Sequence, residues 1–118
     1  MIELTVLNYL KSVVSVPVLM EIPTDNNVAE FILLEKTGSS QTNHINSSVF
    51  VIQSYSDTLF GAASLNEEVK KAMLGDGTTN YGITAQTDIS KCSLNGDYNY
   101  TDQSTKSYRY QAVFDLVF

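Results

Sequence analysis

The stretch Tyr108-Arg109-Tyr110-Gln111-Ala112-Val113-Phe114-Asp115-Leu116-Val117-Phe118 decides how this chain is read. Tyr108, Tyr110, Ala112, Phe114, Leu116 and Phe118 are apolar, whereas Arg109, Gln111 and Asp115 between them are polar. A period of two turns alternate side chains to opposite faces of a strand and buries one of those faces. The pattern predicts a final strand over 108–118 that packs on a core. Arg109, Gln111 and Asp115 then share the opposite, polar face. Nothing in the stretch carries catalytic chemistry.

Working back from this strand, Tyr98 and Tyr100 precede it across the polar run Thr101-Asp102-Gln103-Ser104-Thr105, which predicts a hairpin. Asn95-Gly96 is by itself a strong two-residue turn signal. Cys92, Leu94, Tyr98 and Tyr100 nevertheless keep one alternation phase through it. The reading adopted is one long strand over 87–100, with the turn at Thr101–Thr105. Upstream, Leu59, Ala62, Ala63, Val69, Ala72 and Met73 form a helical stripe over about 58–74. Asp57 is its expected N-cap, and Gly75-Asp76-Gly77 ends it. Residues 78–86 read as a loop.

The first half begins with Ile2, Val6, Tyr9, Leu10 and Val13 at three- and four-residue spacing, a helix over 2–14 that Pro17 closes. Residues 17–23 read as a strand with Val18, Met20 and Ile22 on one face, bracketed by Pro17 and Pro23. Thr24–Asn27 is a turn cluster. Glu30–Thr37 reads as a strand apolar on both faces, hence central or doubly covered. Gly38–Ser48, rich in Ser, Thr and Asn, reads as a long loop. Val49–Tyr55 is the next strand. The expected order is α-β-β-β-α-β-β: an α+β domain over 1–118, with a single mainly antiparallel sheet of about five strands and two helices mainly on one face.

Composition narrows the function. The 118 residues carry thirteen acids against seven bases, a net charge of −6. Lys70-Lys71 is the only adjacent basic pair, which is poor equipment for gripping phosphates. One cysteine, Cys92, offers no internal disulfide and fits a reducing compartment. No signal peptide and no stretch of membrane-spanning length are read. His44, the only histidine, has no acid, Cys or second His beside it, so a surface role is preferred over base or ligand. Cys92 on a core face reads as a small buried hydrophobe. Gly75-Asp76-Gly77-Thr78-Thr79 lacks the lysine of a phosphate loop and follows a helix where such a loop precedes one. Thr37–Ser40 reads as the exit of a strand, and the Asn46 and Asn99 glycosylation triplets mean nothing without secretion. The tyrosines around Arg109 suit a protein interface better than a single-strand platform, given so few bases.

These segments, in this order, resemble the tail-completion proteins, or tail terminators, of long-tailed siphophages and prophages. The resemblance is carried by Tyr98-Asn99-Tyr100-Thr101-Asp102, the polar turn and Tyr108–Phe114, preceded by an N-terminal helix and a Val16-Pro17 strand with Glu21 and Pro23. Between these lie Leu34-Glu35-Lys36-Thr37-Gly38-Ser39 and Val51-Ile52-Gln53-Ser54-Tyr55, followed by a helix. It implies a non-enzymatic virion protein without cofactor or metal, assembled in the host bacterial cytoplasm. By that resemblance the subunit forms a ring, typically a hexamer, between the tail-tube protein and the head-tail connector proteins, with DNA as passing cargo in the lumen and no membrane. His44, Tyr100, Lys106, Arg109, Gln111 and Asp115 are the expected interface residues. The alternatives are a head-completion or stopper protein of the same junction, and a small ligand-binding module or enzyme using His44 and Cys92.

Overall fold

The computed structural model describes residues 1–24, 29–42, 45–78, 81–102, 104 and 107–118. The elements are α1 (Ile2–Val13), β1 (Val18–Leu19), β2 (Phe31–Thr42), β3 (Ile45–Ser56), α2 (Leu59–Leu74), α3 (Ile83–Gln86), β4 (Lys91–Asn99) and β5 (Tyr108–Val117). The strands form one sheet in the order β1-β2-β3-β5-β4. Only the β1–β2 pair is parallel. This is the expected mixed, mostly antiparallel five-stranded sheet with two substantial helices packed on it.

Strand register assigns every side chain to a face. Phe50 of β3 pairs with Phe114 of β5, Ile52 with Ala112, and Ser48 with Leu116. On β2, Leu34 pairs with Ile52 and Ile32 with Ser54. These residues are buried beneath the helices. Val6, Tyr9 and Leu10 come from α1, and Leu65, Val69, Ala72 and Met73 from α2, all in one cluster with the strand residues. Each large apolar side chain so buried contributes roughly 1.5–3 kcal/mol. The Tyr9 hydroxyl reaches across the helix layer to donate to the Ala72 carbonyl, which satisfies a polar tip inside an apolar core.

Helix α2 forms because Ala62, Leu65, Val69, Ala72 and Met73 recur at helical spacing and all face the sheet. Its N-cap is Thr58, not Asp57: the Thr58 hydroxyl accepts from the Gly61 N–H at 2.9 Å. Gly75 closes the helix at φ 87°, a conformation that favours glycine. Helix α1 ends at Val13, with Val14 extended ahead of Pro17.

Three expectations about the elements are corrected. The strand over 17–23 shrinks to Val18–Leu19. Val18 is buried, but Met20 and Ile22 are exposed, so no second buried position rewards its extension. Gly38–Ser48 is no long loop. β2 runs on to Thr42 and β3 starts at Ile45, and their pairing continues from Gly38↔Val49 to Thr42↔Ile45. Backbone pairing sustains this arm while its side chains stay mostly exposed, so hydrophobic alternation is not required of it. β2 lies inside the sheet between β1 and β3, the central place expected for it. The expected loop over 78–86 contains the one-turn helix α3, entered through Gly82 at φ 84°. The turn clusters Thr24–Asn27 and Thr101–Thr105 lie partly outside the described residues.

β4 settles the competition at Asn95-Gly96. The segment is one strand, as expected, but Asn95 is the extra residue of a bulge: Leu94 pairs with Phe114 and Gly96 with Val113. A bulge consumes one residue and reverses the alternation beyond it. Cys92 and Leu94 therefore share the helix-covered face, whereas Tyr98, opposite Gln111, is on the other face. The single phase expected for Cys92, Leu94, Tyr98 and Tyr100 is overturned by that one residue. Asp97 is turned to the helices instead. There it accepts from Asn66 at 2.7 Å and from Lys70 at 2.6 Å. Burial works against the Asp97 carboxylate, but the Lys70 and Asn66 bonds outweigh it and hold its pKa low. Lys70 is raised by its bonds to Asp97 and Glu67. This network pins the β4 edge to α2.

Candidate interface on the open sheet face

Among the described residues no helix covers the second face of the sheet. Register places Phe31, Leu33 and Glu35 of β2 there, together with Val49, Val51, Gln53 and Tyr55 of β3. β5 contributes Arg109, Gln111, Val113, Asp115 and Val117, and β4 contributes Lys91, Ser93 and Tyr98. Leu33, Val49, Val51, Val113 and Val117 are only half-buried. The face carries Lys91 and Arg109 against Glu35 and Asp115, so the acidic surplus of the chain lies elsewhere.

One end of this face holds a connected polar and aromatic cluster. Phe31 and Tyr55, opposite each other across β2 and β3, stack with ring centroids 4.5 Å apart and planes 11° from parallel. Such a pair adds roughly 0.5–1.5 kcal/mol beyond area burial. Arg109 pairs with Tyr55 across β3 and β5. Its guanidinium carbon sits 4.7 Å from the Tyr100 ring centre and 5.7 Å from that of Tyr55, within cation–π range. Its Nη1 donates to the Tyr55 hydroxyl and its Nε to the Tyr100 carbonyl, both at 2.8 Å.

The hydrogen bonds then run in one direction. Tyr55 donates to Gln53 Oε1 at 2.9 Å, and Gln53 Nε2 donates to Gln111 Oε1 at 2.8 Å. Gln111 Nε2 donates to the Tyr98 hydroxyl. The two glutamines face each other because Gln53 and Gln111 are register partners, and Tyr98 completes the row from β4. The cluster is thus assembled from four neighbouring strands, and Gln111 at its centre is itself buried. Beside it runs a shallow groove lined by Ile22, Pro23, Phe31, Tyr55, Tyr108 and Arg109, among others.

Of the six expected interface residues, Tyr100, Arg109 and Gln111 are brought together here. Asp115 shares their face but sits near the far end of β5, in a second groove with Gly38, Ser40 and Val49. His44 and Lys106 lie outside the described residues. Tyr98 is one of the tyrosines weighed around Arg109 but is expected in the phase of Cys92; the bulge turns it to this face instead. Gln53, Tyr55 and Phe31 were not expected here, and only strand register joins them to Arg109.

Cys92 is partly buried against the core. Its thiol is pushed up to about 12, mainly by burial and secondarily by the Asp115 charge. At neutral pH it stays protonated, the unreactive form. Among the described residues no group of three or more His, Cys, Asp or Glu is placed to hold a metal ion, and no helix is long and apolar enough to cross a membrane. Neither a scan against protein-family models nor a search of curated proteins returns a match.

Proposed function

We propose that this chain is a structural subunit of a phage tail, a tail terminator that closes into a ring, a hexamer by resemblance, where tube meets head. The observation that carries the reading is the uncovered sheet face. A β-sheet normally buries its apolar face against another layer. Among the described residues no such layer covers Leu33, Val49, Val51, Val113 and Val117 or the tyrosine–arginine cluster beside them. Tyr and Arg are the residues enriched where binding energy concentrates at protein interfaces. The ordered resemblance along the chain selects which assembly this face serves.

A ring requires head-to-tail contacts whose rotation closes. Two further features suit that geometry. The β2–β3 arm carries mostly exposed side chains beyond Gly38, and the long strand β4 forms an edge of the sheet. The near-neutral open face suits self-contact in a chain of net charge −6. DNA would pass through the ring as cargo, and the tail-tube and head-tail connector proteins would be the partners on either side.

Mass photometry and negative-stain imaging of purified protein, alone and with tail-tube protein, test the proposal. Rings of uniform subunit number are expected. A species that remains monomeric at high concentration with tail-tube protein present would overturn it. Capture by portal-side proteins and not by tube protein would reassign the subunit to the head-completion side of the joint.

A further inference from the structure

The polar cluster on the open face has a direction, and both of its ends are donors. At one end Arg109 spends Nε on the Tyr100 carbonyl and an Nη1 hydrogen on the Tyr55 hydroxyl. A guanidinium has five N–H groups, so three remain. At the other end the Tyr98 hydroxyl accepts from Gln111 Nε2, which leaves its own proton to donate. Between them Gln53 Oε1 and Gln111 Oε1 each receive one bond from within the row. The donors left over at its two ends therefore point to an oxygen-bearing partner from outside.

The charge is equally one-sided. Arg109 is half-buried, held between the Tyr55 and Tyr100 rings. Among the described residues it has no carboxylate within ion-pair distance. Ion pairs among the described residues include Lys36–Glu3, Lys70–Glu67 and Lys70–Asp97. Asp57 lines the same groove without reaching the guanidinium. A guanidinium fixed from behind by two hydrogen bonds and two rings has lost little further freedom to lose. That suits bidentate recognition of a planar anion.

We propose that Arg109 is the carboxylate clamp of the open face, with the Tyr98 hydroxyl at the other end of the row as a second donor, and that its occupant is an acidic side chain of a second copy of this chain. The inference rests on the ring reading and names the contact that would close it. Charge complementarity selects the occupant: the chain has thirteen acids against seven bases. Of these acids, Glu3, Glu67 and Asp97 are held by lysines of their own subunit. A neighbouring copy thus presents a surplus of carboxylates, and Arg109 is a preorganised cation left to meet one. In a head-to-tail ring each subunit gives its clamp to one neighbour and a carboxylate to the other.

The test compares wild type, Arg109→Gln, Arg109→Lys and Tyr98→Phe by sedimentation velocity across a salt series, with thermal unfolding measured on each. Arg109→Gln is expected to weaken assembly at least tenfold, and Arg109→Lys to restore part of it because charge returns without the fork. Tyr98→Phe, which deletes one hydroxyl, is expected to weaken assembly several-fold with its melting temperature unchanged. Wild-type assembly should weaken as salt rises. If wild type forms rings and both Arg109→Gln and Tyr98→Phe form them equally well, the clamp is wrong and the ring reading stands. If wild type never assembles, the ring reading falls and takes the clamp with it. Should Arg109→Gln unfold, Tyr98→Phe alone decides. Labelled duplex DNA supplies the remaining arm. Anisotropy that depends on Arg109 while ring formation does not would assign the site to phosphate and overturn the proposal.

Discussion

The two faces of one sheet are built from the same strands, residue by residue in alternation, yet they solve different problems. On the covered face Phe50, Ile52, Ala112, Phe114 and Leu116 are fully buried beneath α1 and α2. On the open face their sequence neighbours Val51, Gln53, Gln111, Val113 and Asp115 form a surface of half-buried aliphatics and a hydrogen-bonded row. The covered face gains its stability from area removed from water. The open face buries Phe31, Tyr55 and Gln111 at one end, leaves its aliphatics half-buried and joins its polar row by directed contacts, which suits recognition. Under the proposed reading one face serves folding and the other assembly, and substitutions on the two should fail differently.

The largest effect is expected on the covered side. Phe114→Ala removes a fully buried ring between Phe50 and Leu94 in register and should cost about 3–5 kcal/mol in chemical denaturation. Gln111→Ala, three residues away on the opposite face, should cost only about 1 kcal/mol, because Gln53 and Tyr98 remain partly exposed and water can replace the lost bonds. Equal losses at the two positions would erase the distinction between the faces.

A smaller effect separates them by pH. The Cys92 thiol lies on the covered face, and its folded pKa of about 12 is above the ordinary 9.0. A raised folded pKa stabilises the fold below the unfolded value, and that contribution is lost as pH rises from about 9 toward 12. One proton gives a slope of at most ~1.4 kcal/mol per pH unit, and partial exposure of Cys92 places the expected slope below that. Between pH 9 and 10.5 the wild type should lose stability more steeply than Cys92→Ala. Equal slopes would mean that the thiol ionises as readily folded as unfolded.

The same contrast explains what could be read in advance. Burial writes itself into sequence as periodicity, so β5, α1, α2 and the α+β order were legible from Phe114, Leu10, Val69 and their spaced neighbours. The β2–β3 arm was not, because Gly38–Thr42 and Ile45–Ser48 pair through backbone groups that every residue carries. The bulge was not, because Asn95-Gly96 signals a turn and a bulge with the same residue types. Arg109 and Gln111 were legible as one polar face of β5. Their partners were not: Tyr55 lies 54 residues from Arg109 and Gln53 lies 58 from Gln111, and register alone brings them together. Thr58, not Asp57, caps α2 because only the geometry of the turn distinguishes adjacent oxygen-bearing side chains.

The central claim is that the open face serves assembly and contributes little to folding. Val113, half-buried at the middle of that face between Val51 and Gly96, tests it most directly. The measurement is the mass distribution of Val113→Arg beside wild type at matched high concentration, with both confirmed folded by thermal melts. The account predicts a folded Val113→Arg subunit that stays monomeric while wild type forms rings. A Val113→Arg protein that forms rings as readily as wild type would contradict it.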